Sequence, residues 1–496
     1  MLFNLFSFLI FFPVVLLVYF VIPKKIRYIW LLIASYYFYM CWNARYALLL
    51  LASTLVTYFA GLLIDYAAKK TWVKKLVVAG SLVLNFGILF FFKYFDFAMD
   101  GLEVLLEKAG VTFEAPSFDI LLPVGISFYI FQAVGYTIDV YRGKIRAEKN
   151  VLMYALFVSF FPQLVAGPIE RSTNLLSQLR GIDKIKLWDT KRVQQGALVM
   201  LYGYFMKMVL ADRIAVLVDT VYDPMLSYQF EGFTVFIAAV LFSIQIYCDF
   251  AGYTHIAIGA AKIMGFTLKD NFNTPYLAVS IKDFWDRWHI SLTTWFKDYL
   301  YFPLGGSRKG KVRKYINIFI VFLLSGLWHG AAWHYMFWGV LHGVARILGE
   351  LTLGIRNKIY GFLGCKRDTF ATRLWQGTFT FLLVTLLWMF FRGEDVQQTF
   401  DLIKNMVTVY NPWVLTDGSL FTLGLDAKEW NVLLVGMLIL LVTDVCKKRN
   451  KDLVAFFMQQ NLWFRWLFFY VGIMGIVIFG VYGPQYNATQ FIYFQF

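Results

Sequence analysis

Long apolar runs separated by basic clusters constrain this chain more than any other feature. A helix needs roughly 20 apolar residues to cross a bilayer's hydrocarbon core, where it alone satisfies its own backbone polar groups. Such runs recur at 3–21, 28–40, 46–65, 76–92, 121–141, 193–218, 233–263, 316–327, 333–348, 375–391, 432–445 and 463–481. Composition agrees, with 59% hydrophobic residues, only 16% charged and a mean hydropathy of +0.61. A soluble domain is about one quarter charged. The spacing predicts an all-α polytopic membrane protein with about twelve spans.

The formal net charge of +15 does not point to nucleic acid, because the basic residues sit between the apolar runs. Lys24, Lys25 and Arg27 follow the first run, Arg142, Lys144, Arg146 and Lys149 the fifth, and Lys447, Lys448, Arg449 and Lys451 the penultimate one. Acidic residues collect on the other side, in a predicted exterior loop carrying Asp96, Asp100, Glu103, Glu107, Glu114 and Asp119. By the positive-inside rule both termini are expected outside the cytoplasm. Residues 3–21 lack a basic leader and a small-residue cleavage site, so they read as a retained span. Residues 151–166 read as spanning or re-entrant, and 266–314, aromatic and basic, as interfacial or re-entrant helices. Cys41, Cys248, Cys365 and Cys446 have no metal-ligand spacing, and no metal is expected.

Four of the five histidines lie within 284–342. His329 is set in an apolar run between Gly326 and Gly330, with Trp328 beside it. An ionisable group in that setting is costly and calls for a function or a satisfied hydrogen bond. A neutral imidazole can take a proton from a hydroxyl or thiol; a buried histidine bonded to a backbone carbonyl is the plainer alternative. Asp249, on a predicted helix with Gln245 on its face, either ties helices together or borders a polar cavity and orients a catalytic group. Asp286 and Arg287, flanked by aromatics, read as an interfacial ion pair next to His289. Arg308, Lys309, Lys311 and Arg313 are either ordinary positive-inside residues or partners for phosphates.

Several separated motifs carry a resemblance. They are LPVGISF at 122–128, FQ at 131–132, DVYRG at 139–143 and FFPQLVAGPI at 160–169 with Arg171. QIYCDFAGY at 245–253, FWDRWHISL at 284–292, DYLY at 298–301, PLGG at 303–306 and WHGAAW at 328–333 complete the set. In these the chain resembles the membrane-bound O-acyltransferase (MBOAT) family, and within it the bacterial branch that includes the alginate O-acetyltransferase membrane subunit. The resemblance implies a ring of helices around a thinned central tunnel, with His329 as the catalytic histidine and His289 as a second histidine on its cytoplasmic side. Trp328, Asp249, Gln245, Asp286 and Arg287 would line or orient that path. It implies acetyl-coenzyme A as acyl donor, a cell-surface polysaccharide as acceptor, surrounding membrane lipid and an extracytoplasmic esterase-like (SGNH-type) partner. Residues 1–496 would form one membrane domain: peripheral spans over 1–120, a catalytic core over 121–350, further spans over 351–482 and an extracytoplasmic tail over 483–496.

The chain ends in FIYFQF, similar to the terminus of the small peptide that accompanies the teichoic-acid D-alanylation members. That likeness makes Tyr493 a candidate acyl carrier; a hydrophobic tail packed on the protein is the other reading. Two alternatives to acetyl transfer are D-alanyl transfer to a wall polymer and, from another class, a polysaccharide exporter. The absence of an internal repeat gives the exporter no support.

Overall fold

The computed structural model describes residues 1–67, 70–114, 116, 122–165, 167–186, 188–482 and 492. Its regular structure is helical, with no strand among the described residues. Among the described residues, six helices are long and apolar enough to cross a membrane: Tyr46–Tyr66, Thr71–Lys93, Gly232–Met264, Phe370–Arg392, Ala427–Lys448 and Leu462–Phe479. The other runs form shorter or less apolar helices, such as Phe6–Val21, which carries Pro13. Large apolar side chains stand exposed along these helices, among them Leu434, Leu438, Trp463, Leu467 and Tyr470, as a lipid surround requires.

The chain divides into two compact units. The first comprises Met1–Ala197 and Ala257–Lys269. Its core is tied by buried polar side chains: Ser53 donates to Asn85 Oδ1 at 2.6 Å, and Tyr154 to Thr57 Oγ1 at 2.7 Å. Gln132 donates to the Phe157 carbonyl at 2.6 Å and accepts from Gln163. The helix Val151–Ser159 starts where the Asn150 side chain accepts from Leu152 and Met153 amides, and it stops at Phe160. Pro162 then opens a separate turn, Phe161–Leu164. Nine helical residues rise only about 14 Å, less than half the hydrocarbon thickness.

The predicted acidic loop differs from expectation in form: Phe95–Lys108 is a helix. After a π-helical turn at Phe90–Tyr94, no proline lies before Gly110, so the pattern of acidic and apolar residues folds as an amphipathic helix rather than a coil.

The second unit comprises Leu198–Ile256 and Asp270–Phe496. The run expected over 193–218 is helical but interrupted by a π-helical turn, Phe205–Ala211, before Asp212–Tyr222. Lys311–His329 and Trp333–Leu351 form a close hairpin. A Cβ on Gly326 would lie 2.3 Å from the Tyr335 carbonyl oxygen, and one on Gly339 2.4 Å from that of Phe322. Only glycine permits this approach. Trp338 of the hairpin is fully buried, as are Trp388, which stacks on it, and Trp288 beyond that ring.

Candidate active site

His329 is the last residue of Lys311–His329, because Gly330 turns extended and Ala332 stays so until the next helix begins at Trp333. The imidazole is 4% exposed and walled by aromatic edges. Its ring centroid lies 5.0 Å from Trp328, 5.1 Å from Trp338 and 5.3 Å from Phe391. Trp338 in turn stacks on Trp388 at 5.4 Å. The surroundings therefore exclude water without supplying a charged neighbour from these rings.

His289 is reached along a different path. Ser280 caps the short helix Ile281–Trp285 through the Asp283 amide, and His289 itself is the N-cap of Ile290–Phe296. There it takes a left-handed backbone, φ 42° and ψ 54°, which is costly for a residue with a Cβ. Asn271 compensates: its carbonyl oxygen accepts from the Ile290 amide at 2.9 Å. Its Oδ1 accepts from the Ser291 amide at 3.2 Å and hydroxyl at 2.9 Å, and lies 3.0 Å from His289 Nδ1. A backbone amide can only donate, so the Asn271 atom facing it is the oxygen. His289 Nδ1 then carries the proton and Nε2 the lone pair. Burial pushes the imidazole pKa down to about 3, so the ring is neutral at working pH. The Phe250 ring meets His289 edge-on at 4.8 Å, and Trp328 lies 6.0 Å away. Trp328 thus touches both histidines.

Asp249 belongs to a buried charged cluster. Lys207, from the π-helical turn, places Nζ 2.5 Å from Asp249 Oδ1 and 2.8 Å from Asp212 Oδ1, with all three side chains at most 3% exposed. The Ile492 amide donates to Asp249 Oδ2 at 2.9 Å. Gln245 is buried one turn away, and its Oε1 has no hydrogen-bond partner among the described residues. Asp286 and Arg287 do not form the predicted pair. Successive residues on a helical turn point apart, so each pairs one turn back: Arg287 with Asp283 at 2.7 Å and Asp286 with Lys282 at 3.7 Å. Arg308, Lys309, Lys311 and Arg313 are exposed. Tyr493 lies outside the described residues.

Three residues escaped the sequence reading. Lys207 was visible, with Arg213, as one of two cations within the apolar run 193–218 and could have been found there. Asn271 had no local signal, because its partners are 18 and 20 residues downstream. His342 is fully buried, accepts from the Trp285 indole at 3.2 Å and so ties the His289 segment to the hairpin.

The profile of the membrane-bound O-acyltransferase family matches residues 144–391, half of the chain. The chain is similar to the probable alginate O-acetylase AlgI of Pseudomonas syringae pv. tomato, with 34% identity over 452 residues covering 90% of this chain and 83% of that protein. It is also similar to the peptidoglycan O-acetyltransferase of Helicobacter pylori, 33% identical over 76% of this chain and 73% of that one. The teichoic acid D-alanyltransferase of Bacillus subtilis matches at 28% identity over 46% of this chain and 59% of its own length. The matched profile contains both histidines and the tryptophan they share, and by this breadth of likeness the chain belongs to the membrane-bound O-acyltransferase family, as a multi-pass membrane enzyme.

Proposed function

We propose that the protein moves an acetyl group from acetyl-coenzyme A across the bacterial cytoplasmic membrane for O-acetylation of a cell-surface polysaccharide. His329 is the catalytic base in this reading, and His289 a second station on the acyl path. The observation that carries it is the sharing of Trp328 by two buried imidazoles, His289 at 6.0 Å and His329 at 5.0 Å. Relatives named for alginate and peptidoglycan O-acetylation support the acetyl group and the polysaccharide acceptor.

The chemistry follows from the setting. As an acceptor oxygen attacks the thioester carbonyl, the His329 imidazole takes the hydroxyl proton. The carbon–sulfur bond then breaks, and the leaving thiolate recovers that proton from the imidazolium. His329 ends its helix, so the carbonyl ends of the last turn favour the transient positive charge. Arg308, Lys309, Lys311 and Arg313 are exposed cations suited to the phosphates of coenzyme A at the cytoplasmic face. Tyr493 is the acyl carrier: its phenol accepts the acetyl group and passes it to an extracytoplasmic SGNH-type partner, which completes transfer to the sugar. About twelve spans arranged as a ring around a thinned centre, with both termini outside, would hold this path. The single membrane domain has its catalytic core over 121–350.

The test is acetyl labelling of membranes from radiolabelled acetyl-coenzyme A. His329→Ala at normal protein level is expected to lower labelling by about 10²–10⁴-fold, the range for loss of a general base. Labelling that survives the substitution removes His329 from the chemical step. Label appearing only from a D-alanyl carrier would replace acetyl by D-alanyl.

A further inference from the structure

The Lys207–Asp212–Asp249 cluster has a use that the two histidines do not explain. It formally sums one cation and two carboxylates, buried on three elements: Lys207 on the π-helical turn, Asp212 at the start of Asp212–Tyr222, and Asp249 on the 33-residue apolar helix Gly232–Met264. Buried carboxylates need several donors, and a cluster left short of them is costly. One donor comes from the far end of the chain, where the Ile492 amide reaches Asp249 Oδ2 at 2.9 Å and Ile492 is 4% exposed. The same wall receives the chain where it leaves the last helix. The Val481 amide donates to the Met208 carbonyl at 2.9 Å, next to Lys207, and Arg213 donates to the Phe479 carbonyl at 2.6 Å. A π turn leaves its carbonyls out of the regular ladder, and here one of them is used by the tail.

We propose that the π-helical turn and the Lys207–Asp249 pair form a dock for this chain's own C-terminal segment, with Asp249 as a positioning residue that holds the Ile492 backbone. The dock stands next to the reaction path, because Phe250, the residue after Asp249, packs its ring on His289 at 4.8 Å. Its consequence for transfer rests on the reading of Tyr493 as carrier, since Ile492 is one peptide unit before that residue. The dock itself stands on contacts of described residues alone. Lys207 aims the Asp249 carboxylate through their 2.5 Å contact, and its ammonium also lies 5.4 Å from the Tyr253 ring centroid.

The experiment uses the full-length protein with Cys41, Cys248, Cys365 and Cys446 replaced by alanine and Ile492→Cys introduced. Ile492→Cys keeps the backbone amide and puts a thiol at a buried position, so maleimide labelling reports undocking. Asp249→Ala is expected to speed labelling by about tenfold to a hundredfold, the range for a lost charge-assisted hydrogen bond. Val481→Pro removes the amide given to Met208 without touching the charged cluster and is expected to speed labelling in the same direction, so the proposal survives a failure of Asp249→Ala to fold. Equal labelling rates in the parent and in the folded variants would overturn the dock. Tyr493→Phe separates the two readings: acetyl transfer that persists in it sinks the carrier, while the labelling rates still decide the dock.

Discussion

Asn271 decides which nitrogen of His289 is available for chemistry. With Oδ1 committed to the Ser291 amide and hydroxyl, it holds Nδ1–H and leaves the lone pair on the buried Nε2. Asn271→Leu keeps the volume and removes the acceptor, which leaves buried donors unpaired and frees the ring to turn. Acetyl transfer is expected to fall by about a hundredfold while protein level holds, measured as initial labelling rate. Burial sets a second expectation. His289 is neutral in the fold down to about pH 3, whereas an unfolded histidine binds a proton near pH 6.5. Between those values the unfolded chain holds more protons, so stability falls as pH falls, by up to about 1.4 kcal/mol per unit. Thermal unfolding of wild type from pH 6.5 to 4 should therefore drop more steeply than that of His289→Phe. The identities of His329 and His289 as candidates were legible in sequence, because rare ionisable residues in apolar or aromatic runs stand out. Their supports were not, since Asn271 and His342 act through partners 18 to 57 residues away.

At the level of elements, the hairpin of Lys311–His329 and Trp333–Leu351 places His329, and its glycines set the spacing. Gly326→Val would drive a branched side chain into the Tyr335 carbonyl, only 2.3 Å from the first added atom. The expected result is a loss of about 1–3 kcal/mol of stability together with lost activity, read by thermal unfolding and labelling in the same sample. Helix positions followed well from the apolar runs, including the break around His329. The π-helical turn at Phe205–Ala211 did not follow, because an apolar run marks a helix without marking its hydrogen-bond register. The helix Phe95–Lys108 was hidden by its charge, which reads as loop when burial is unknown. The misassigned Asp286–Arg287 pair has a similar origin: adjacency in sequence was taken for adjacency in space.

For the whole molecule, membrane character was legible from hydropathy alone, and six described helices meet the length and composition of a span. Division into two compact units was not legible, since the units are woven from discontinuous segments and share the helix Gly232–Met264. The last helix, Leu462–Phe479, has no buried residue, yet the chain just beyond it is held by Met208, and its final turn by Arg213. An element that leans on its neighbours without entering their core is separable in the manner of an accessory subunit. Two genes encoding residues 1–450 and 451–496 should yield pieces that copurify and regain acetyl labelling within about tenfold of the intact chain, the loss set by effective concentration rather than by folding. Pieces that fail to copurify would mean that covalent continuity, not the dock, keeps the final helix in place.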